Sequence, residues 1–447
     1  MTSADFSAAS LLRQRRFLPL FVTQLAGAFN DNVFKNALII FITFHPDVAL
    51  REHSAEFVSL AAGVFILPFF LFSALAGQLA DKFEKSALIQ RVKLLEIVIM
   101  LLVGVGFWLN SIVFLMVVLF LMGTQSSFFG PLKYSILPQH LAPHELTTGN
   151  GLVQMATFLA ILIGTMFGGF LVTSRPSGPA LISFSVVFVA LLGWWASRGI
   201  PVAPASEPAL RLRWNLLAET ITIARRARQT RTVFTSIMGI SWFWFVGATY
   251  LQLLPSFTRD ALNGDANVVT LMLTAFSVGI GVGSLLCAKI SRGGVETRLI
   301  WIGGAGLALF SVSLNFVAPQ LSGPAAGSAL TGIQEFVRSR ENWWVFFNLL
   351  AVSVCAGLYI VPLFSLMQIH ARVRQRARVI AANNIFNALF MVMSALLCIS
   401  LLSLGLRAGE IIAWTGLATA VVTAVLCLRE PAFVTGKQQL SVDDSAR

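Results

Sequence analysis

Residues Phe17 to Phe44 read FLPLFVTQLAGAFNDNVFKNALIIFITF. A helix of roughly 20 apolar residues, rising 1.5 Å per residue, spans a hydrocarbon core of about 30 Å, so this run is long enough to cross a bilayer. It is interrupted by Asn30, Asp31 and Asn32, then by Lys35 and Asn36. Asp31 falls about 22 Å along the helix from Arg16, deep in the apolar layer. An ionisable side chain there costs roughly 2.5–3.5 kcal/mol on insertion scales, so it should face protein or water, and it is a functional candidate. Lys35 lies four residues on, on the same helical face, so the two charges can also be read as an ion pair that neutralises itself. An ion pair alone has no need of flanking asparagines, which tilts the reading towards a polar site built from Asn30, Asp31, Asn32, Lys35 and Asn36.

The rest of the chain has the same character. Of its 447 residues 56% are hydrophobic and 12% charged, with mean hydropathy +0.79; soluble domains carry about 25% charged residues. The composition is that of an integral membrane protein, with no room for a soluble catalytic domain, and no enzyme activity is expected. Cys287, Cys355, Cys398 and Cys427 lie in or at the ends of apolar segments without paired spacing, so no disulfide framework, metal site or cofactor is expected. His140 and His144 are four apart, but Pro143 between them disfavours a metal-binding helix face. Arg13, Arg15 and Arg16 before the first run resemble the start of a signal peptide; the run is too long and lacks a small-residue cleavage site, so it reads as a retained first helix.

Twelve spans are predicted, at about 16–44, 57–80, 88–108, 112–134, 146–173, 179–198, 232–257, 267–289, 299–318, 343–367, 378–403 and 409–428. All read as helices, because lipid cannot satisfy exposed backbone groups and nothing alternates as barrel strands do. With an even number of spans both termini share a side. Loops and tails on that side hold 25 of the 32 Lys and Arg residues, the opposite side holds six (Arg51, Arg175, Arg259, Arg338, Arg340, Arg407), and Lys35 is inside the membrane. The positive-inside rule then makes both termini cytoplasmic. The net charge of +12 is thereby a topological signal facing anionic lipid rather than a nucleic-acid footprint.

The chain divides into an N-terminal six-helix bundle (1–198), a cytoplasmic linker (199–231), a C-terminal six-helix bundle (232–429) and a cytoplasmic tail (430–447). The linker holds Pro201, Pro204 and Pro208, then LRWNLLAETITIARRARQTR, an amphipathic basic segment expected along the membrane surface. The other long interval, Pro319 to Asn342, is extracytoplasmic. The halves echo each other: Gly77-Gln-Leu-Ala-Asp-Lys closes the second span and Gly283-Ser-Leu-Leu-Cys-Ala-Lys the eighth. Gly130-Pro131-Leu132 closes the fourth span, and Val361-Pro362-Leu363 approaches the end of the tenth. The expected fold is therefore all-α: twelve transmembrane helices in two six-helix pseudo-repeat bundles with a cavity between them.

Gly77-Gln78-Leu79-Ala80-Asp81-Lys82-Phe83-Glu84-Lys85 resembles the signature of the major facilitator superfamily between spans two and three, departing from it where Glu84 replaces a second glycine. Gly77 permits close helix packing, and Asp81 can bond the N-terminal amides of a helix in the opposite half while pairing with a basic residue, a cytoplasmic latch. Narrower motifs resemble the bacterial lysophospholipid transporter family from about Phe17 to Leu428: Ala28-Phe29-Asn30-Asp31-Asn32, Gly130-Pro131-Leu132-Lys133-Tyr134-Ser135-Ile136-Leu137, Gly149-Asn150-Gly151-Leu152, Ser241-Trp242-Phe243-Trp244, Val361-Pro362-Leu363 and Ala381-Ala382-Asn383-Asn384. The likeness is to the transporter portion that some bacteria fuse to an acyltransferase and an acyl-carrier-protein synthetase; no such enzyme domain is expected within these 447 residues. The resemblance implies inward movement of lysophospholipids, chiefly lysophosphatidylethanolamine, from the outer to the inner leaflet of the bacterial inner membrane by alternating access. The implied partners are the substrate, membrane lipids and a separate acyltransferase, with the carrier itself a monomer.

A lysolipid needs a polar end and an apolar wall. Asp31 suits an ammonium and Lys35 a phosphate; Asn30, Asn32, Asn36, Tyr250, Gln252, Asn383, Asn384 and Asn387 are further substrate-site candidates, and the amides read equally well as interhelical glue. Trp242 to Phe245 are expected to pack towards lipid. Gly77, Asp81, Lys82, Lys85, Glu96, Lys133 and Tyr134 are gating candidates, although Glu96 also suits a pair with Lys93, and Lys133 and Tyr134 suit ordinary interfacial roles. The run Arg372, Arg374, Arg376, Arg378 reads as a solvated loop. Rival readings are a proton-coupled exporter of amphipathic drugs or a siderophore, and a non-transporting membrane anchor for an acyltransferase.

Overall fold

The computed structural model describes residues 8–44, 53–174, 177–228, 230–291, 293–317 and 330–436. Residues 319–329 of the expected extracytoplasmic interval, residues 437–447 of the expected tail, and Arg51, Arg175 and Arg292 of the charge pattern lie outside the described residues.

Among the described residues twelve long helices follow one another: α1 (Leu18–Thr43), α2 (Ser54–Lys82), α3 (Lys85–Trp108), α4 (Ile112–His140), α5 (Leu146–Thr173), α6 (Gly178–Ser197), α7 (Arg231–Leu262), α8 (Ala266–Ser291), α9 (Arg298–Val317), α10 (Arg340–His370), α11 (Arg376–Ser403) and α12 (Ala408–Arg429). Ten are long and apolar enough to cross a membrane by length and composition alone. The other two, α1 and α3, are those whose apolar runs are broken by Asn30–Asp31–Asn32 with Lys35, and by Arg91, Lys93 and Glu96. The chain is a multi-pass membrane protein.

Helix starts follow local chemistry. The Glu84 carboxylate accepts from the Ser86 and Ala87 amides to open α3, and Ser111 Oγ accepts from the Phe114 amide to open α4. Asn263, with φ of 51°, turns the chain out of α7. Three expected ends were clearly too early. Pro131 and Pro138 sit inside α4, which runs on to His140, Pro255 inside α7, which runs on to Leu262, and Pro362 inside α10, which runs on to His370. Neighbouring helices shield the carbonyls that proline leaves unpaired, so a proline in a membrane span does not stop it.

The packing is duplicated. α1 lies on α5 and α6, α2 on α4, and α3 on α6; correspondingly α7 lies on α11 and α12, α8 on α10, and α9 on α12. The two sets meet chiefly along α2 with α11 and α5 with α8, pairs that exchange when every helix number shifts by six. Small residues allow these approaches: a Cβ on Gly77 would lie 2.7 Å from Cβ of Ala381, and one on Gly151 2.7 Å from the Ser284 carbonyl oxygen. Exposed Leu94, Val98, Leu101, Phe184, Phe188 and Leu396 give the outer surface an apolar coat suited to lipid. The linker forms a helix, Leu216–Ala227, whose Ile223 and Ala227 are buried where it packs on α2 and α11. Its apolar face is thus turned onto the protein, correcting the expectation that it lies along the membrane.

Candidate functional site

The end of the bundle at which α1 and α3 begin and α2 and α4 finish carries most of the Lys and Arg residues; it is called the basic end here. About 17–20 Å from it, counted at 1.5 Å per residue, α1, α3, α4 and α6 share a buried polar cluster. Lys93 and Glu96, three apart on α3, pair at 2.6 Å with both side chains 1% exposed. Gly27 of α1 makes the room, since a Cβ there would collide with Lys93 Nζ, and the ammonium also lies 4.5 Å from the centre of the Phe129 ring. Glu96 accepts from the Asn30 amide (3.3 Å) and the Gln125 amide (3.0 Å), and Asn30 also donates to the Val186 carbonyl (3.0 Å). A buried pair is tolerated only when its remaining lone pairs are occupied in this way. Glu96 therefore sits near the middle of the membrane rather than beside Asp81 in a latch.

Asp31 follows Asn30 on the next face of α1. Its Oδ2 accepts from Ser126 of α4 at 2.7 Å, and its Oδ1 has no hydrogen-bond partner among the described residues. Seven residues earlier on α1, Gln24 Oε1 accepts from Lys133 Nζ at 3.4 Å, and Lys133 is seven residues after Ser126 on α4. The antiparallel helices thus present two polar rungs about 10 Å apart: Asp31 with Ser126, then Lys133 with Gln24 nearer the basic end. Lys133 Nζ also lies 4.9 Å from the centre of the Tyr134 ring. The Asp31–Lys35 pair is absent. Asp31 turns to α4, whereas Lys35 turns to α2, its Nζ 5.5 Å from the centre of the Phe65 ring. Among the described residues, neither Lys35 nor Lys133 has a carboxylate within ion-pair distance.

Several candidates are committed elsewhere. The Asn32 amide donates to the Ala28 carbonyl of its own helix and the Asn36 amide to the Thr165 carbonyl of α5, both at 2.7 Å. Tyr250 is fully buried, stacked on Phe276 and donating to Ser311 Oγ at 2.8 Å, which ties α7 to α8 and α9 rather than lining a cavity. Asn387 accepts from Ser241 at 2.9 Å and so joins α11 to α7. Gln252 is exposed towards the far end of α7. Asn383 is fully buried with neither amide atom partnered among the described residues, and the Asn384 amide lies against Gly130 of α4. Phe243 is buried edge-on to Phe158 of α5 and Trp244 stacks on that ring, so these two side chains pack between the helix sets, not towards lipid. Trp242 donates to Thr419 of α12 at 3.0 Å.

Towards the basic end the two sets are sealed together. Tyr134 is buried, stacked on Phe364 of α10 at 4.5 Å, and its hydroxyl accepts from Gln154 at 3.1 Å. Gln368 donates to the Tyr134 carbonyl and exchanges hydrogen bonds with Asn150 of α5, which also reaches Ser365. Interfacial tyrosine and snorkelling lysine are thus the wrong pictures for Tyr134 and Lys133, because α4 continues past both. Closer still to that end, the fully buried Asp81 accepts from the Ala377 amide (3.1 Å), the Arg378 amide (3.3 Å) and Arg378 Nε (2.9 Å) at the start of α11, beside Gly77. Arg378 is buried and also bound by Glu207 of the linker and by the Arg374 carbonyl (2.7 Å). It is therefore a structural cation, not part of a solvated loop.

Lys82 and Lys85 do not pair with Asp81; they hold the linker, Lys82 through the Leu210 carbonyl and Lys85 through Ser206 Oγ, both at 2.8 Å. Gln78 bonds both backbone groups of Arg213. Burial would raise the Glu84 carboxyl, but donation from the Ala203 amide, the Ser86 hydroxyl and the Ala87 and Ser86 amides outweighs it and holds the group below the usual range. The departure from the glycine of the signature thereby serves as a helix cap and a linker clamp.

The pairing of Glu96 with Lys93 that their spacing suggested is present; sequence reasoning missed Gln125, Ser126, Gln24, Gln154, Gln368, Glu207 and the structural role of Arg378. Lys93 lies inside the third span even with a start at residue 88, so it does not belong with the loop charges; a helix beginning at Lys85 carries it about 12 Å inwards.

The family model described as Major Facilitator Superfamily matches residues 20–395. The lysophospholipid transporter LplT of Klebsiella pneumoniae is 27% identical over 365 residues, 80% of this chain and 81% of its own. The LplT of Cronobacter sakazakii matches with the same identity and coverage. Among solved structures, the human organic anion transporter MFSD10 superposes with a TM-score of 0.68 at 14% identity, covering 94% of this chain and 99% of its own.

Proposed function

This chain belongs to the major facilitator superfamily, and from that premise we propose that it is a carrier moving a lysophosphatidylethanolamine-type lipid inward across a bacterial inner membrane. Two six-helix bundles, 1–198 and 232–429, rock about a midplane site, with the basic end and both termini cytoplasmic and the carrier acting as a monomer. The observation that carries the reading is Asp31: among the described residues one carboxylate oxygen is unpartnered, and the carboxylate lies between the levels of Lys35 on α1 and Lys133 on α4, two cations without carboxylate partners there. A zwitterionic headgroup supplies what each lacks, an ammonium for Asp31 and a phosphate for a lysine. The phosphate meets Lys35 first, from the end away from the seal, and Lys133 next, as the basic end opens. Opening requires Asp81 to release the start of α11 and Tyr134 to unstack from Phe364. Similarity to transporters named for lysophospholipid supports this substrate class. A soluble acyltransferase that consumes the delivered lipid would dock on the exposed face of the linker around Trp214 and Ile221.

The test is uptake of labelled lysophosphatidylethanolamine by spheroplasts lacking their own carrier, comparing the parent with Asp31→Asn. Uptake by the parent is expected, with at least a tenfold loss in the variant at equal membrane abundance. No uptake by the parent would overturn the substrate assignment. Equal uptake by both would remove Asp31 from the site.

A further inference from the structure

A second lipid-shaped feature lies on the outer surface, away from the polar cluster. Near the basic end, α7 and α12 part to form a groove of about 230 Å³, with Phe234, Met238, Val421, Val425 and Leu426 on its walls and Arg429 at its mouth. Val421 is 63% and Val425 43% exposed. The groove therefore opens sideways from two membrane-spanning helices, where an acyl chain is the available occupant. Its mouth is cationic. The Arg228 guanidinium, at the C-terminal cap of the linker helix, lies 5.5 Å from the centre of the Phe234 ring, and Arg231 begins α7, exposed. Glu430, next in the chain to Arg429, accepts from the Thr232 hydroxyl at 2.8 Å. Among the described residues, Arg228 and Arg429 have no carboxylate partner.

We propose that this groove is a binding site for an anionic phospholipid of the leaflet at the basic end, one acyl chain lying between α7 and α12 and the phosphate held by Arg429 and Arg228. Basic residues where a membrane helix meets its interface attract anionic headgroups, and a groove between helices adds apolar contact to that attraction. Both helices belong to the same set, so the bound lipid is not on the path between the sets. Because Arg228 ends the linker helix, the lipid fastens that helix to α7 and α12 and steadies the linker that Glu207 joins to Arg378.

Native mass spectrometry of the full chain tests this without reference to transport, by titrating the purified protein with phosphatidylglycerol or phosphatidylethanolamine of identical acyl chains. The parent should retain phosphatidylglycerol preferentially. Arg228→Ala with Arg429→Ala should weaken that retention by roughly ten- to thirtyfold. Val425→Trp, which fills the groove and leaves the charges, should weaken retention of both lipids. Arg225→Ala, an exposed arginine on the linker helix, should change nothing. Equal retention of the two lipids by the parent, an unchanged double variant, or an equal loss in Arg225→Ala would each overturn the site. So would a gain in phosphatidylglycerol binding on deletion of 437–447, which would make that segment the occupant.

Discussion

The helices α1–α6 and α7–α12 pack by the same scheme and differ in what they bury. The first set holds Asp31, Lys35, Lys93, Glu96 and Lys133 within its spans, with Asn30 and Gln125 on Glu96, Ser126 on Asp31, Gln24 on Lys133, and Lys35 against Phe65. The corresponding interior of the second set is tied by neutral pairs, such as Ser241 with Asn387, Tyr250 with Ser311, and Thr249 with Ser394 at 2.8 Å. A duplicated scaffold therefore does not require duplicated chemistry: one half buries charged side chains, while the other is tied by uncharged pairs.

The difference can be broken most severely at Glu96. Replacing it with Gln leaves Lys93 buried without its carboxylate, and losing one partner of a buried pair costs about 3–5 kcal/mol. Thermal unfolding of the detergent-purified protein should show a drop of that size, and Lys93→Met combined with Glu96→Gln should recover most of it. A drop for the double variant as large as for the single one would mean that the polar cluster does not act as a pair.

The seam between the two sets should respond less. Asp81→Asn removes the charge from bonds worth roughly 1.5–3 kcal/mol, so a cysteine placed at the buried Ser365 (Ser365→Cys) should react at least tenfold faster with a soluble maleimide in the Asp81→Asn background. An unchanged rate would show that Tyr134 on Phe364, with Gln368 on Asn150, closes the basic end without Asp81. The smallest effect belongs to the neutral half. Ser241→Ala should lower stability by only about 0.6 kcal/mol, the average for interhelical hydrogen bonds in membranes. A loss matching that of Glu96→Gln would erase the contrast between the halves.

Much of the fold was legible because a bilayer leaves few options. Span number and approximate limits follow from hydropathy and length, and the Asp81 motif pointed to the start of a helix in the other set, where α11 begins. The site was only partly legible. Four-residue spacing brings Asp31 and Lys35 to one face of α1, but their rotamers turn them to different neighbours. Arg378 looked like loop charge because its partners, Asp81 and Glu207, are 297 and 171 residues away. Tyr250 and Trp244 carry no mark of whether they face lipid, a cavity or another helix, because in an all-apolar helix periodicity does not single out one face.

By itself the sequence determined that this is a twelve-helix membrane protein with an acid in the middle of its first helix, since the cost of burying polar backbone and charge fixes what can cross lipid and what stands out within it. The tertiary structure alone decided what the charges meet across helices. Lys93 and Glu96 are brought together by their spacing of three on one helix, but Asp31 with Ser126 and Arg378 with Asp81 depend on how helices rotate and pack against one another, and that is set by close contacts such as Gly27 on Lys93 and Gly77 on Ala381 rather than by any local pattern.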